Sequence, residues 1–389
     1  MKLRTERLHV LDAIRGFALF GILLLHMIMF QYPSPEDISK LSNFEQTLST
    51  FINTFTSGSY RPIFSFMFGV GFIILLRSLE RRGLRVRITF LRRFLFLFGI
   101  GIVHYMYFWK FDILSTYGIA GLLLLLFLRR QPKTWLISSL LIWMSAPVIS
   151  LLIRPLDIVD KPLWHVMDLI HLVSPTIWDP MQSTFHLLWA SATEVLPYFL
   201  FGMYMMHSNW FHRVEDNRKR NGILAILFLI IGWPIKAMLI FSDSAEAWAD
   251  LLVIASGLTA LGYMFAIMYL FTTRLGGRFF KPFQEVGKMS LTHYVSHSII
   301  FGLLFIPAGK WFEGFGLIHS VGVFWGIIIA CVTIVLQAKV STWWLSRFAY
   351  GPIEWLWRMI TYWKWTPIKK STAVDTSAAS TSTTTSNMQ

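Results

Sequence analysis

Along the chain, apolar residues run almost unbroken through stretches at about 12–31, 61–78, 91–109, 111–128, 134–153, 186–206, 221–241, 249–272, 289–306 and 318–338. Each is near the roughly 20 residues a helix needs to cross ~30 Å of hydrocarbon. The pattern predicts an all-α fold, a polytopic membrane bundle of about ten transmembrane helices. Between the first two runs, Leu41, Phe44, Leu48, Phe51, Ile52 and Phe55 recur at helical spacing with polar residues between them. This predicts an amphipathic helix lying on or dipping into the outer face. A second outer segment, about 154–185, carries Trp164, Met167, Ile170 and Trp178 among prolines and acids and is placed to cover a cavity mouth.

The aromatic stretch from Trp343 to Arg358, flanked by cations, suits the headgroup layer. Residues 1–365 are read as one transmembrane helical domain. Residues 366–389, dominated from about Ser371 by serine, threonine and alanine, hold too few apolar side chains to fold and are read as a disordered cytoplasmic tail.

Composition agrees with this class. Of the 389 residues, 55% are hydrophobic and only 14% charged, and the mean hydropathy is +0.55, values foreign to a soluble domain of this length. A formal charge of +14 invites a nucleic-acid reading, but its distribution excludes one. The basic clusters, such as Arg77 to Arg93, Arg213 to Arg220 and Arg274 to Lys288, fall in alternate loops, and Glu36, Asp37, Asp157 and Asp243 fall in the others. By the positive-inside rule both termini are cytoplasmic, in agreement with an even helix count, and the location is the cell membrane. The basic start followed by an apolar run is read as the first helix rather than a cleaved signal, since it is long and carries charges. One cysteine, Cys331, excludes an internal disulfide and a cysteine-rich metal site. No Walker or Rossmann glycine motif is present.

Ionisable residues inside the apolar runs mark function, because burying them in hydrocarbon costs several kcal/mol unless they face protein or a wet cavity. Asp12 and Arg15 are three apart on the first helix and can pair. His26 lies eleven residues beyond Arg15, about 16 Å along the axis and on the same face. The third and fourth runs repeat the pattern, with Arg92 and Arg93 at one end and His104 and Asp112 at the other. A carboxylate beside a histidine fixes its tautomer and raises its basicity, as general-base catalysis needs. His293 and His297 are four apart on one helix; with no third ligand at useful spacing, polar packing or substrate contact outweighs a metal site, and none is assigned. Glu194, the deepest acid, fits a proton relay or a hydrogen-bonded structural group equally.

The motifs Arg7-Leu8, Leu11-Asp12, Arg15-Gly16-Phe17-Ala18-Leu19 and Gly21-Ile22, then Phe64-Ser65, Phe68-Gly69 and Gly71-Phe72, then Gly101, His104 and Asp112-Ile113-Leu114, then Gly287-Lys288-Met289-Ser290-Leu291-Thr292 with Tyr294, then Phe348, Gly351-Pro352 and Glu354-Trp355-Leu356-Trp357-Arg358, stand in one order from about residue 7 to 360. Together they resemble the YeiB-like family of bacterial membrane proteins, placed in the transmembrane acyltransferase superfamily with heparan-glucosaminide N-acetyltransferase and the proteins that O-acylate surface sugars. The resemblance implies a bacterial cytoplasmic-membrane enzyme. It would move an acyl group, acetyl foremost, from cytoplasmic acyl-CoA to a hydroxyl or amine of a small-molecule or cell-envelope glycan acceptor at the outer face. The aspartate, arginine and later histidine pattern of the sugar O-acylating proteins resembles Asp12, Arg15 and His26. Relatives often carry asparagine at the position of His26, which leaves His104 or His297 as alternative bases.

On this reading Asp12, Arg15, Arg92, Arg93 and Lys288 form the coenzyme-binding site, with the four cations holding its phosphates, while His26, His104, Asp112 and His297 are the catalytic candidates. The cations also satisfy the positive-inside rule, so they do not by themselves prove a coenzyme site. The rival is a secondary transporter of a small polar or anionic solute, which also places ionisable groups around a cavity; it predicts repeated halves and broken helices, which the sequence does not display. A non-catalytic scaffold leaves the buried charges unused. The acyl group, the acceptor and the oligomeric state, a homodimer included, stay open.

Overall fold

The computed structural model describes residues 9–32, 35–109, 112–153, 187–240, 249–305 and 320–370. The outer segment 154–185, the basic residues Lys2, Arg4 and Arg7 and the tail beyond Lys370 lie outside the described residues. What is described is all-helical: α1 (His9–Gln31), the short α2 (Pro35–Ser39), α3 (Asn43–Thr56), α4 (Tyr60–Arg81), α5 (Val86–Tyr107), α6 (Leu114–Leu124), α7 (Pro132–Ile153), α8 (Leu196–His207), α9 (Arg218–Ile240), α10 (Ala249–Phe271), α11 (Arg274–Phe279), α12 (Lys281–Gly287), α13 (Ser290–Leu304), α14 (Val323–Arg347) and α15 (Pro352–Tyr362).

A helix stands in each of the apolar runs predicted from sequence. Five stretches are long and apolar enough to cross a membrane: α1, the stretch Asn43–Arg81 holding α3 and α4, α9, Leu251–Phe271 of α10, and α14. These helices mark the chain as a membrane protein. Three of the other runs hold helices that are shorter or more charged. Arg87, Arg92 and Arg93 crowd the first turns of α5, α6 ends after 11 residues in a short 3-10 turn, and α13 has only 15 residues.

The core forms around α1, which is buried along most of its length and touches α3, α4, α10, α12, α13 and α14. Central burial is what allows α1 to carry Asp12 and His26, since both face protein rather than lipid. Close approach to α12 requires glycine twice: a Cβ on Gly16 would strike the backbone carbonyl of Phe283, and one on Gly287 the carbonyl of Asp12. Around this centre α9 pairs with α10, α8 with α4, and α5 with α6 and α15.

Two local departures from the sequence reading matter for the site. The run predicted from 289 starts as helix only at Ser290; the Gly287-Lys288-Met289 motif is the corner between α12 and α13, with Met289 in a non-helical conformation. Glu194 does not sit in regular α-helix but in a π turn, Ser191–Val195, that leads into α8. Such turns carry one residue too many for the α ladder and recur at functional sites.

Candidate functional site

Two cavities lie along α1. The smaller, about 240 Å³, opens beside the N-terminal part of the helix and is lined by Asp12, Arg15, Arg93, Lys288, Glu354 and Trp357 among others. The larger, about 550 Å³, lies toward the C-terminal part and is lined by His26, Arg61, Trp109, Glu194 and Tyr198 among others. One stripe of α1 serves both: Asp12 and Arg15 face the first, and Ile22, Leu25, His26 and Met29 the second.

In the basic cavity the charges are mostly matched. Arg15 Nη1 donates to Asp12 Oδ1 at 3.2 Å, and Lys288 Nζ donates to Glu285 Oε1 at 2.6 Å. Glu354, reaching across from α15, accepts from the backbone N–H groups of Leu291 (2.6 Å) and Thr292 (3.1 Å) and from the Thr292 hydroxyl. A carboxylate there satisfies orphan donors of the first turn of α13 and favours the helix dipole. Arg93 differs. Its guanidinium lies 3.4 Å from the centroid of the Trp357 ring, whose indole N–H donates to the Arg93 carbonyl at 3.0 Å, and it has no carboxylate partner among the described residues. It is therefore the cation best placed to meet an anion in this cavity. Arg92 is not brought to the cavity; it stacks over Trp363, 5.2 Å from the ring centroid.

The histidines separate by their partners. His104 Nδ1 pairs with Asp112 Oδ1 at 3.0 Å, and its Nε2 with Ser298 Oγ at 3.0 Å. Asp112 Oδ2 accepts from the Ser115 N–H (2.8 Å) and hydroxyl (2.9 Å), which fixes the carboxylate. His104 and Asp112 thus meet, but both imidazole nitrogens are engaged and neither residue lines either of these two cavities. His293 and His297 turn toward α14, where His293 Nε2 meets Ser341 Oγ at 2.6 Å and His297 Nε2 meets Gln337 Oε1 at 3.1 Å. They serve as polar packing between two helices, although His297 Nδ1, like that of His26, is buried with no hydrogen-bond partner among the described residues. His26 is the histidine on a cavity wall. Its ring packs among Phe30, Trp109 and Tyr294, and its Nδ1 has no hydrogen-bond partner among the described residues. A buried polar atom left unpaired is costly.

Arg61 was not singled out by the sequence reading, yet it forms an ion pair with Glu194 inside the larger cavity. The signal available was weak, a lone arginine at the start of an apolar run. The partner is 133 residues away and only the fold joins them. Among the described residues no group of three or more histidine, cysteine or acidic side chains stands together to hold a metal ion.

Residues 205–364 match the family described as a protein of unknown function, DUF418, and residues 7–176 match the catalytic part of heparan-alpha-glucosaminide N-acetyltransferase. The chain is 25% identical to the uncharacterized protein YeiB of Escherichia coli (strain K12), covering 92% of this chain and 96% of that one. It is similar to YeiB over almost its whole length. The uncharacterized protein YxaH of Bacillus subtilis (strain 168) is 29% identical, over 96% of this chain and 98% of its own length. No solved structure matches. Both cavities draw on both matched regions. Arg15, His26, Arg61 and Arg93 come from the part resembling the acetyltransferase catalytic region, and Lys288, Tyr294 and Glu354 from the other.

Proposed function

We propose that the chain is a membrane-embedded acyltransferase that takes an acyl group, acetyl foremost, from acyl-CoA and gives it to a hydroxyl or amine of a small or glycan-like acceptor. The observation that carries the reading is His26: a buried histidine with an unpaired ring nitrogen on the wall of a 550 Å³ cavity, within the region similar to an acetyltransferase catalytic domain. The likeness to that family supports acyl transfer as the class; the donor, the acceptor and the base are our reading of the geometry.

In this mechanism the coenzyme's phosphates sit at the mouth of the basic cavity, on Arg93 with help from Arg15 and Lys288, and the thiol arm runs toward the His26 cavity. The acceptor O–H or N–H attacks the thioester carbonyl, so a C–O or C–N bond forms and the C–S bond breaks. His26 takes the acceptor's proton and returns it to the departing thiolate. His104, clamped by Asp112 and Ser298, is a positioning residue that holds the backbone of α13 in place. The Arg61–Glu194 pair and the aromatic walls of Trp109 and Tyr198 suit a polar acceptor with one apolar face.

The basic loops face the cytoplasm on this reading, with both termini inside, ten spans, and α3 and α15 at the interfaces. The protein purified in detergent or nanodiscs, given radiolabelled acetyl-CoA and a panel of amino sugars and polyols, should release coenzyme A and label an acceptor in a manner lost with His26→Gln. Absence of turnover with every donor and acceptor, despite measured donor binding, would refute the enzymatic reading in favour of a carrier or binding protein.

A further inference from the structure

The two cavities meet at one pair of residues. Ile113 and Tyr294 are common to both linings, and they touch: the Ile113 N–H donates to the Tyr294 hydroxyl at 3.4 Å. That hydrogen bond is long, so little energy resists its breaking. The Tyr294 side chain is buried, with its ring centroid 6.0 Å from that of His26 and 5.3 Å from that of His104.

The backbone on either side of the contact is held. On α13, Glu354 fastens Leu291 and Thr292, and Ser298, four residues beyond Tyr294, is bonded to His104. On the opposite wall Asp112, next to Ile113, is bonded to Ser115 and His104. With the helices pinned, the part of the partition free to change is the tyrosine side chain, by rotation between staggered χ1 wells.

We propose that Tyr294 is a specificity-determining door between the basic cavity and the His26 cavity. Rotated, it admits a thin, unbranched thioester arm with a short acyl group; in the observed position it keeps the water and acceptor of the larger cavity from the donor. The identity of the arm rests on the acyltransferase reading above, while the partition does not.

Replacing the ring by a methyl group then has two effects. Longer acyl chains pass, and water reaches the thioester carbonyl without an acceptor, forming a C–O bond as the C–S bond breaks and yielding free acid and coenzyme A thiol.

The test separates the door from the chemistry. In a Cys331→Ser background, Leu25→Cys places a thiol on the wall of the His26 cavity, and a small, anionic, membrane-impermeant thiosulfonate is applied to vesicles from the face bearing the basic loops. With Tyr294 present, modification should be slow. With Tyr294→Ala it should be at least ~10-fold faster, with Tyr294→Phe intermediate, and Ile113→Ala provides the same opening from the other wall should Tyr294→Ala fail to fold. Equal rates in the parent and the alanine variants would overturn the door. In parallel, acetyl-, butyryl- and octanoyl-CoA are assayed for release of free acid, which should rise in the alanine variants, most for the longest chain. Faster labelling with no turnover in any variant would sink the acyl-transfer reading and leave the door standing; turnover with unchanged labelling would do the reverse.

Discussion

Asp112 holds His104 through a 3.0 Å contact between Oδ1 and Nδ1 while both side chains are buried. With Ser298 on Nε2, the imidazole has nowhere to receive a substrate proton without first giving up a partner. In the proposed mechanism the proton-transfer role falls to His26, which lines the larger cavity. His26→Gln should lower acyl transfer by a factor of about 100 to 10,000, as loss of a general base does, with thermal stability near that of the parent. His104→Gln should mainly destabilise, by about 1–3 kcal/mol for buried partners left unmatched. Parallel rate and melting measurements decide between them; a melting loss confined to the His26 variant would reverse the assignment.

Donor binding should depend on Arg93 and not on its neighbour. Arg93 faces the basic cavity, whereas Arg92 stacks on Trp363 outside it. Arg93→Gln should weaken binding of coenzyme A roughly 10- to 100-fold, the range set by one charge-assisted hydrogen bond of about 1.5–3 kcal/mol. Arg92→Gln should leave the Kd in calorimetry within about twofold of the parent.

Gly16 should tolerate no side chain. A Cβ there would meet the Phe283 carbonyl, and backbone cannot give way as a flexible side chain does. Gly16→Ala should cost about 1–3 kcal/mol or more and should depress donor binding as well, because separating α1 from α12 moves Arg15 away from Lys288. Retention of the parent's melting temperature and Kd would show that the two helices do not bear on each other as described.

Glu354 gives a pH dependence outside the membrane-length helices. Burial pushes its carboxyl above the usual carboxylate range, against the pull of hydrogen bonds from Thr292 and Leu291. A carboxyl raised on folding contributes stability that is fully present below the unfolded pKa and is lost as pH rises through the folded one. The parent should therefore lose melting temperature relative to Glu354→Gln as pH is raised from about 4 toward neutrality. Parallel melting curves across that range would contradict a raised carboxyl.

The alternation of basic and acidic loops predicts sidedness. In a Cys331→Ser background, a cysteine at Lys40, an exposed position before α3, should react with an impermeant maleimide from outside the cell, and one at Leu84, exposed between α4 and α5, only after permeabilisation. The opposite labelling would invert every side assigned above.

The helices were legible in the sequence because apolar run length is a local property: every run predicted as membrane-spanning contains a helix, and the Asp12–Arg15 pair follows from a three-residue spacing on one of them. The approach of His104 to Asp112 was also within reach, since only eight residues separate them. What the sequence left equal was the choice among His26, His104 and His297, for a histidine's use depends on which atoms from distant segments meet its two nitrogens. Ser298 comes to His104 from 194 residues away and Gln337 to His297 from 40, so that His104 is engaged at both ring nitrogens and His297 at Nε2, while His26 lines the larger cavity. Arg61 with Glu194, Glu354 with the start of α13, and Tyr294 with Ile113 are likewise pairings across the chain. The sequence by itself determined the helices and the ionisable groups they carry. Only the tertiary structure decided which of those groups satisfy one another and which are left to face a cavity, because hydrogen-bond saturation is set by neighbours in space and not by spacing along a helix.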